Sequence, residues 1–175
     1  MLVKRFSDIS SEAMKGSVIV CPTDTIYGLS ARVGDAEAIA RVRALKGKKQ
    51  ALGLIVLIPD ATSLTDFGVE LNDSRQYLLS KVWPGPVSVV LPVSKKWSHV
   101  AAADTTISFR MPNSLELLDF IRRVGPIIST SANKTGERPA ASIEGAQAIF
   151  GDGADIYVDG GKREGASSTI IKILR

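Results

Sequence analysis

Apolar runs of strand length recur along the chain at 17–21, 52–58, 87–93, 105–110, 126–130, 155–158 and 169–174, several of them rich in Val and Ile. Between them the spacing changes to that of a helix with one buried face. Asp35 precedes a segment in which Ala38, Ile39, Val42 and Leu45 share a side, and a second helical stretch runs from Asn72 to Trp83. Asn113 followed by Glu116 reads as a capping-box variant, opening a helix that turns Leu117, Leu118, Ile121 and Val124 inward and ends at Gly125-Pro126. Ser142 opens a shorter helix carrying Ile143, Ala146 and Phe150, stopped by Gly151. Strands that alternate with helices predict an α/β fold around one twisted sheet, with polar strand-to-helix loops gathered at an edge or cleft.

Composition narrows the class. With 175 residues, 45% hydrophobic and 23% charged, the chain has the size of a single domain spanning 1–175 with a sizeable core. No apolar stretch reaches the roughly 18 residues a membrane span needs, and Met1-Leu2-Val3-Lys4-Arg5 turns polar too early for a signal peptide, so no membrane association and a cytoplasmic location are expected. The lone Cys21 closes the run Ser17-Val18-Ile19-Val20 and reads as a small buried hydrophobe. His99 is the only histidine, which argues against a catalytic histidine dyad or a histidine zinc site and places it in a loop. No metal site is expected on the protein itself. A net charge of +4 implies anionic partners, either nucleotide phosphates or RNA.

The candidate chemistry lies at strand ends. Ser129-Thr130-Ser131-Ala132-Asn133-Lys134 follows the apolar Pro126-Ile127-Ile128, and its small hydroxyl and amide side chains suit a polar ligand, although the same residues also make ordinary turns. The glycine-rich phosphate loop G-x-x-x-x-G-K-[ST] is absent; Gly160-Gly161-Lys162-Arg163-Glu164-Gly165 has the wrong order. A bound nucleoside triphosphate would therefore be held by side-chain cations, and Lys46, Lys48 and Arg110 are the candidates. Lys46 and Lys48 stand at the predicted end of the Asp35 helix, where the helix dipole alone already favours cations. Alternation along Thr105 to Arg110 puts Thr106, Ser108 and Arg110 on one face, which fits an anion site or a solvent-facing edge strand.

Four segments, Pro22-Thr23-Asp24-Thr25-Ile26-Tyr27-Gly28, Trp83-Pro84-Gly85-Pro86, Ser108-Phe109-Arg110-Met111-Pro112 and Ser129-Thr130-Ser131-Ala132-Asn133, occur in the order in which they resemble the YrdC-like family of threonylcarbamoyl-AMP synthases. The likeness runs from about Val18 to about Ile171. It implies an open twisted mixed sheet with flanking helices and a large concave basic cavity. It also implies roles for single residues: Thr25, Arg110, Ser131 and Ser168 on L-threonine; Lys46, Lys48, Thr106, Asn133 and, one place off the matching position at Ala141, Ser142 on the nucleotide; Lys46, Lys48 and Arg110 in catalysis. Tyr27 is either a cavity wall or core. The family pattern Lys-x-Arg is Lys46-Gly47-Lys48 here, and lysine keeps the charge while losing the fork that grips two phosphate oxygens. Leu52 and Leu57 stand where longer relatives have Asn and His, and Lys172 where an Asp is common.

The implied reaction joins L-threonine, bicarbonate or CO2, and ATP with Mg2+ into threonylcarbamoyl-AMP and pyrophosphate. A separate tRNA threonylcarbamoyl transferase is the implied downstream partner. Asp24 is the only acid in the four motifs, so catalysis is expected to rest on positioning and charge neutralisation. The rival expectation is a module of the same fold that contacts tRNA or holds double-stranded RNA or a ribosomal precursor by its basic surface. A relative with a different carbamoyl acceptor is a third.

Overall fold

The computed structural model describes residues 2–47 and 54–172. Among these residues nine strands form one mixed sheet: β1 (Leu2–Lys4), β2 (Ile19–Pro22), β3 (Tyr27–Arg32), β4 (Ile55–Leu57), β5 (Val87–Pro92), β6 (Thr106–Arg110), β7 (Ile127–Ser131), β8 (Ile156–Val158) and β9 (Thr169–Lys172). Four helices flank it: α1 (Ala36–Leu45), α2 (Asp73–Val82), α3 (Leu115–Val124) and α4 (Ile143–Phe150). The strand order is β1-β8-β2-β3-β7-β4-β6-β5-β9. The β1/β8, β2/β8, β4/β6 and β5/β9 pairs are parallel; the four pairs β2/β3, β3/β7, β4/β7 and β5/β6 are antiparallel. Among the described residues no helix is long and apolar enough to cross a membrane.

The helices begin where the capping residues predict, with one shift. Asp35 accepts from the Ala38 amide at 3.0 Å, Asn72 from the Arg75 amide at 2.9 Å, and Ser142 from the Gly145 amide at 3.3 Å. For α3 the cap is Ser114, not Asn113, and it makes no side-chain cap bond. The Asn113 amide is used elsewhere, on a carboxylate 89 residues away, which the local pattern could not reveal.

Two strands escaped the hydrophobic pattern. β1 is three residues at the chain start, and β3 reads Tyr-Gly-Leu-Ser-Ala-Arg, with small residues in place of the branched and aromatic ones that mark strands. Its position supplies what its composition lacks, because it is hydrogen-bonded to β2 on one side and β7 on the other. Gly28 belongs there for a packing reason: a Cβ at this position would lie 2.5 Å from Ser129 Oγ on the neighbouring strand.

Strand alternation divides the molecule into two unequal faces. On one, Leu29, Val56, Val89, Ile107, Phe109 and Ile128 pack with Ala38, Ile39 and Val42 of α1 and Ile143, Ala146 and Phe150 of α4. On the other, Leu117, Phe120, Ile121 and Val124 of α3, with Phe6, Ile9 and Met14, cover Ile19, Cys21, Leu57, Ile127, Ile156 and Val158. That second layer covers only part of its face. The remainder, carrying Gly28, Ile55, Ser129, Ser131 and Arg110, is left as a hollow.

Candidate functional site

The hollow has a volume of about 160 Å³ and is lined by Thr23, Thr25, Ile26, Tyr27, Gly28, Ile55, Arg110, Ser129, Thr130, Ser131, Ser167, Ser168 and Ile170. Most of its walls are strand ends or the turns beyond them, with Ser129 at the middle of β7. The β2–β3 turn is fixed from within: Thr23 Oγ1 accepts from the amides of Thr25 and Ile26, each at 3.2 Å, and donates to the Ile26 carbonyl at 2.7 Å. Thr25 Oγ1 is thereby held at the rim, 3.0 Å from Thr23 Oγ1.

Arg110 ends β6, which lies between β4 and β5 in the sheet interior; the edge-strand alternative for this segment is excluded. Its side chain is only 2% exposed and forms an ion pair with Asp24, itself 8% exposed. Nη2 also reaches Thr25 Oγ1 at 3.2 Å, while Nε is closed off from solvent and has no partner. Just past Arg110, the Met111 carbonyl accepts from the Gly85 amide at 2.9 Å, so the Trp83-Pro84-Gly85-Pro86 segment braces the end of β6 without reaching the hollow.

Lys46 is the C-cap of α1, yet its side chain is 3% exposed and does not simply complement the helix end. Nζ donates to the Ser131 carbonyl at 2.7 Å, to Asn133 Oδ1 at 2.6 Å and to Ser131 Oγ at 3.3 Å. These acceptors are neutral, and burial pushes the Lys46 ammonium down to about 8. Asn133 is held in turn, its Nδ2 donating to the Glu137 carbonyl at 2.6 Å. Ser131 thus lines the hollow together with Arg110 while its carbonyl accepts from Lys46; Lys46 and Asn133 themselves stand behind Ser131 and do not line it. Lys48 lies outside the described residues.

Ser168 lines the hollow, with its Oγ 3.0 Å from Ser88 Oγ. Thr106 does not: it stands at the opposite end of β6, about 13 Å from Arg110 by strand rise, where it donates to Asp104 Oδ1 at 2.6 Å. Ser142 is engaged as the α4 cap and does not line the hollow either. Tyr27 is both wall and core, buried in the first face with its hydroxyl donating to the Gly161 carbonyl at 2.9 Å and accepting from the Gly160 amide at 3.0 Å. Cys21 is fully buried and its thiol is pushed up to about 12, which fits an inert core residue. His99 lies in a turn with Nε2 3.0 Å from the Val33 carbonyl.

The pattern of the sequence did not reveal the connection from β8 to β9. These strands are separated in the sheet by six others, so residues 159–168 run across the sheet beside the hollow as a strap, with Ser167 and Ser168 in its lining. It is pinned at Tyr27, by the Arg163 amide to the Ala141 carbonyl at 2.8 Å, and by close packing of Gly165, where a Cβ would lie 2.5 Å from the Thr25 carbonyl oxygen. The spacing of Gly160, Gly161 and Gly165 was the available signal.

Comparison with known proteins identifies the family. Residues 12–175 match the model of the Sua5/YciO/YrdC family, whose description is "Telomere recombination". The chain belongs to the Sua5/YciO/YrdC family. Among family members, the threonylcarbamoyl-AMP synthase of Halorhodospira halophila is 31% identical over 160 residues, covering 89% of this chain and 83% of that protein. The crystal structure of Pyrococcus abyssi Sua5 complexed with L-threonine aligns with a TM-score of 0.80 at 29% identity, over 90% of this chain and 47% of that one; the chain spans about half the length of that relative. Escherichia coli YciO, at 22% identity, shares the family fold with a TM-score of 0.84 over 94% of this chain and 82% of its own.

Proposed function

We propose that this chain is an enzyme of the nucleotidyltransferase type, an L-threonylcarbamoyladenylate synthase that makes threonylcarbamoyl-AMP and pyrophosphate from L-threonine, bicarbonate or CO2, and ATP. The observation that carries the reading is the sharing of Ser131 between the hydroxyl-lined hollow of Arg110 and the buried Lys46. Curated relatives with the synthase name and a Sua5 relative complexed with L-threonine support it.

In this reading the amino acid occupies the hollow, with its carboxylate toward Arg110 and its polar groups among Thr25, Ser131 and Ser168. The amine adds to CO2 and loses a proton, forming a carbamate. A carbamate oxygen then attacks the α-phosphorus of ATP, the bond to the bridging oxygen breaks, and pyrophosphate leaves. Lys46 and Asn133 border the nucleotide, and Lys48, Thr106 and Ser142 are its further proposed contacts. In the proposed reaction Mg2+ enters as part of the MgATP substrate.

Neutralising the phosphate charge and aligning two reactants is the work asked of the protein. A separate transferase would pass the product to tRNA. The decisive measurement is conversion of ATP to AMP that requires both L-threonine and bicarbonate and falls at least a hundredfold in Lys46→Ala. Threonine-independent turnover, or an unaffected variant, removes the assignment. RNA binding as the primary role has no feature of the hollow in its favour.

A further inference from the structure

Arg110 lines the hollow, and the carboxylate that pairs with it does not. Asp24 divides its two oxygens: Oδ1 accepts from Arg110 Nη2, and Oδ2 accepts from the Asn113 amide at 2.9 Å. Asn113 belongs to the turn that leaves β6, so a single carboxylate ties the β2–β3 turn to the segment following Arg110. The guanidinium is used unevenly. Nη2 serves Asp24 and Thr25 together, whereas Nε is buried with nothing to bond. Lys46, the other cation of the site, meets only neutral acceptors.

We infer that Asp24 is a positioning residue for substrate recognition: it anchors the Arg110 guanidinium through Nη2 and offsets its charge, so that the guanidinium is held in place for the carboxylate of the amino acid. The inference rests on the reading that L-threonine occupies this hollow. An arginine buried without a counter-charge is costly, and one free to rotate would have to be ordered at each binding event. Pairing from behind removes both costs and keeps the planar fork aligned for a carboxylate. Direct contact between Asp24 and the substrate is disfavoured, because both oxygens are engaged and the carboxylate is absent from the lining.

The test uses the full chain, with calorimetric titration of L-threonine and separate KM values for L-threonine and ATP. Asp24→Asn, nearly isosteric, is expected to weaken threonine binding and raise its KM about tenfold, the loss typical of a charge-assisted bond, while the KM for ATP stays within about twofold. In an Arg110→Met background the same change is expected to have no further effect, because Asp24 acts through that arginine. Equal losses for both substrates, additive effects in the double variant, or unchanged threonine binding would each overturn the inference; the last would leave the proposed function standing. Failure of the unmutated protein to bind L-threonine would overturn both. Circular dichroism checks that each variant is folded.

Discussion

At the residue scale, the two cations of the site are prepared differently. Arg110 is paired inside the protein with a carboxylate, whereas Lys46 meets only neutral acceptors and burial lowers its ammonium to about 8, a range where ordinary pH changes its charge. Lys46 is protonated below about 8 and neutral above it. Anionic phosphate favours the charged form, so the KM for ATP is expected to rise about tenfold between roughly pH 7 and pH 9, and Lys46→Arg to flatten that rise. A steady-state series at constant ionic strength checks this. The stability of the ligand-free protein moves the other way: its folded value lies below the ordinary 10.5, so between about 8 and 10.5 the unfolded chain binds more protons. This group therefore costs stability below about 8, and the cost fades as pH rises. The likelihood of a cation at this helix end was legible in the sequence; its route to Ser131 and Asn133, 85 and 87 residues away, was not.

At the scale of elements, the hollow depends on turns and a strap rather than on any helix. Gly165 packs with no room for a side chain against the Thr25 carbonyl, which is backbone and cannot step aside. Gly165→Ala is expected to displace the strap and lower kcat/KM for L-threonine by at least tenfold, with a loss of stability of about 1–3 kcal/mol, read by kinetics and by urea unfolding. Ser142→Ala removes the α4 cap and is expected to cost about 1 kcal/mol, measured by the same unfolding curves. The helices were legible because caps and apolar spacing are local, as Asp35, Asn72 and Ser142 show. β3 was hidden because a central strand can be made of small residues when its neighbours supply the hydrogen bonds, and Gly28 is there to admit Ser129.

At the scale of the whole molecule, one sheet face is covered fully by α1, α4 and their neighbours and the other only in part by α3 and the chain start. The uncovered part ends at edge strand β9, where Ile170 is 56% exposed beside Ser168. Edge strands with few buried contacts open first. Hydrogen exchange is expected to be fastest in β9 and slowest in β3, β7 and β4 at the sheet centre, and L-threonine with ATP is expected to slow exchange in the strap and β9. Exchange read by mass spectrometry with and without both ligands measures this, and uniform protection across the sheet would contradict it.

By itself, the order of apolar runs, caps and polar strand ends determined that this is an α/β chain of one domain's size, with Arg110, Ser131 and Asn133 as its candidate chemistry, to which the family resemblance of the motifs added Thr25. Those signals are short-range, carried by neighbours within a turn or a strand. Only the tertiary structure decided that β6 is interior, that Asp24 backs Arg110, that Ser131 joins the hollow to Lys46, and that Ser167 and Ser168 of the 159–168 segment line it. Each of these is a contact between residues far apart in the chain, where burial and strand order, rather than local spacing, select the partner.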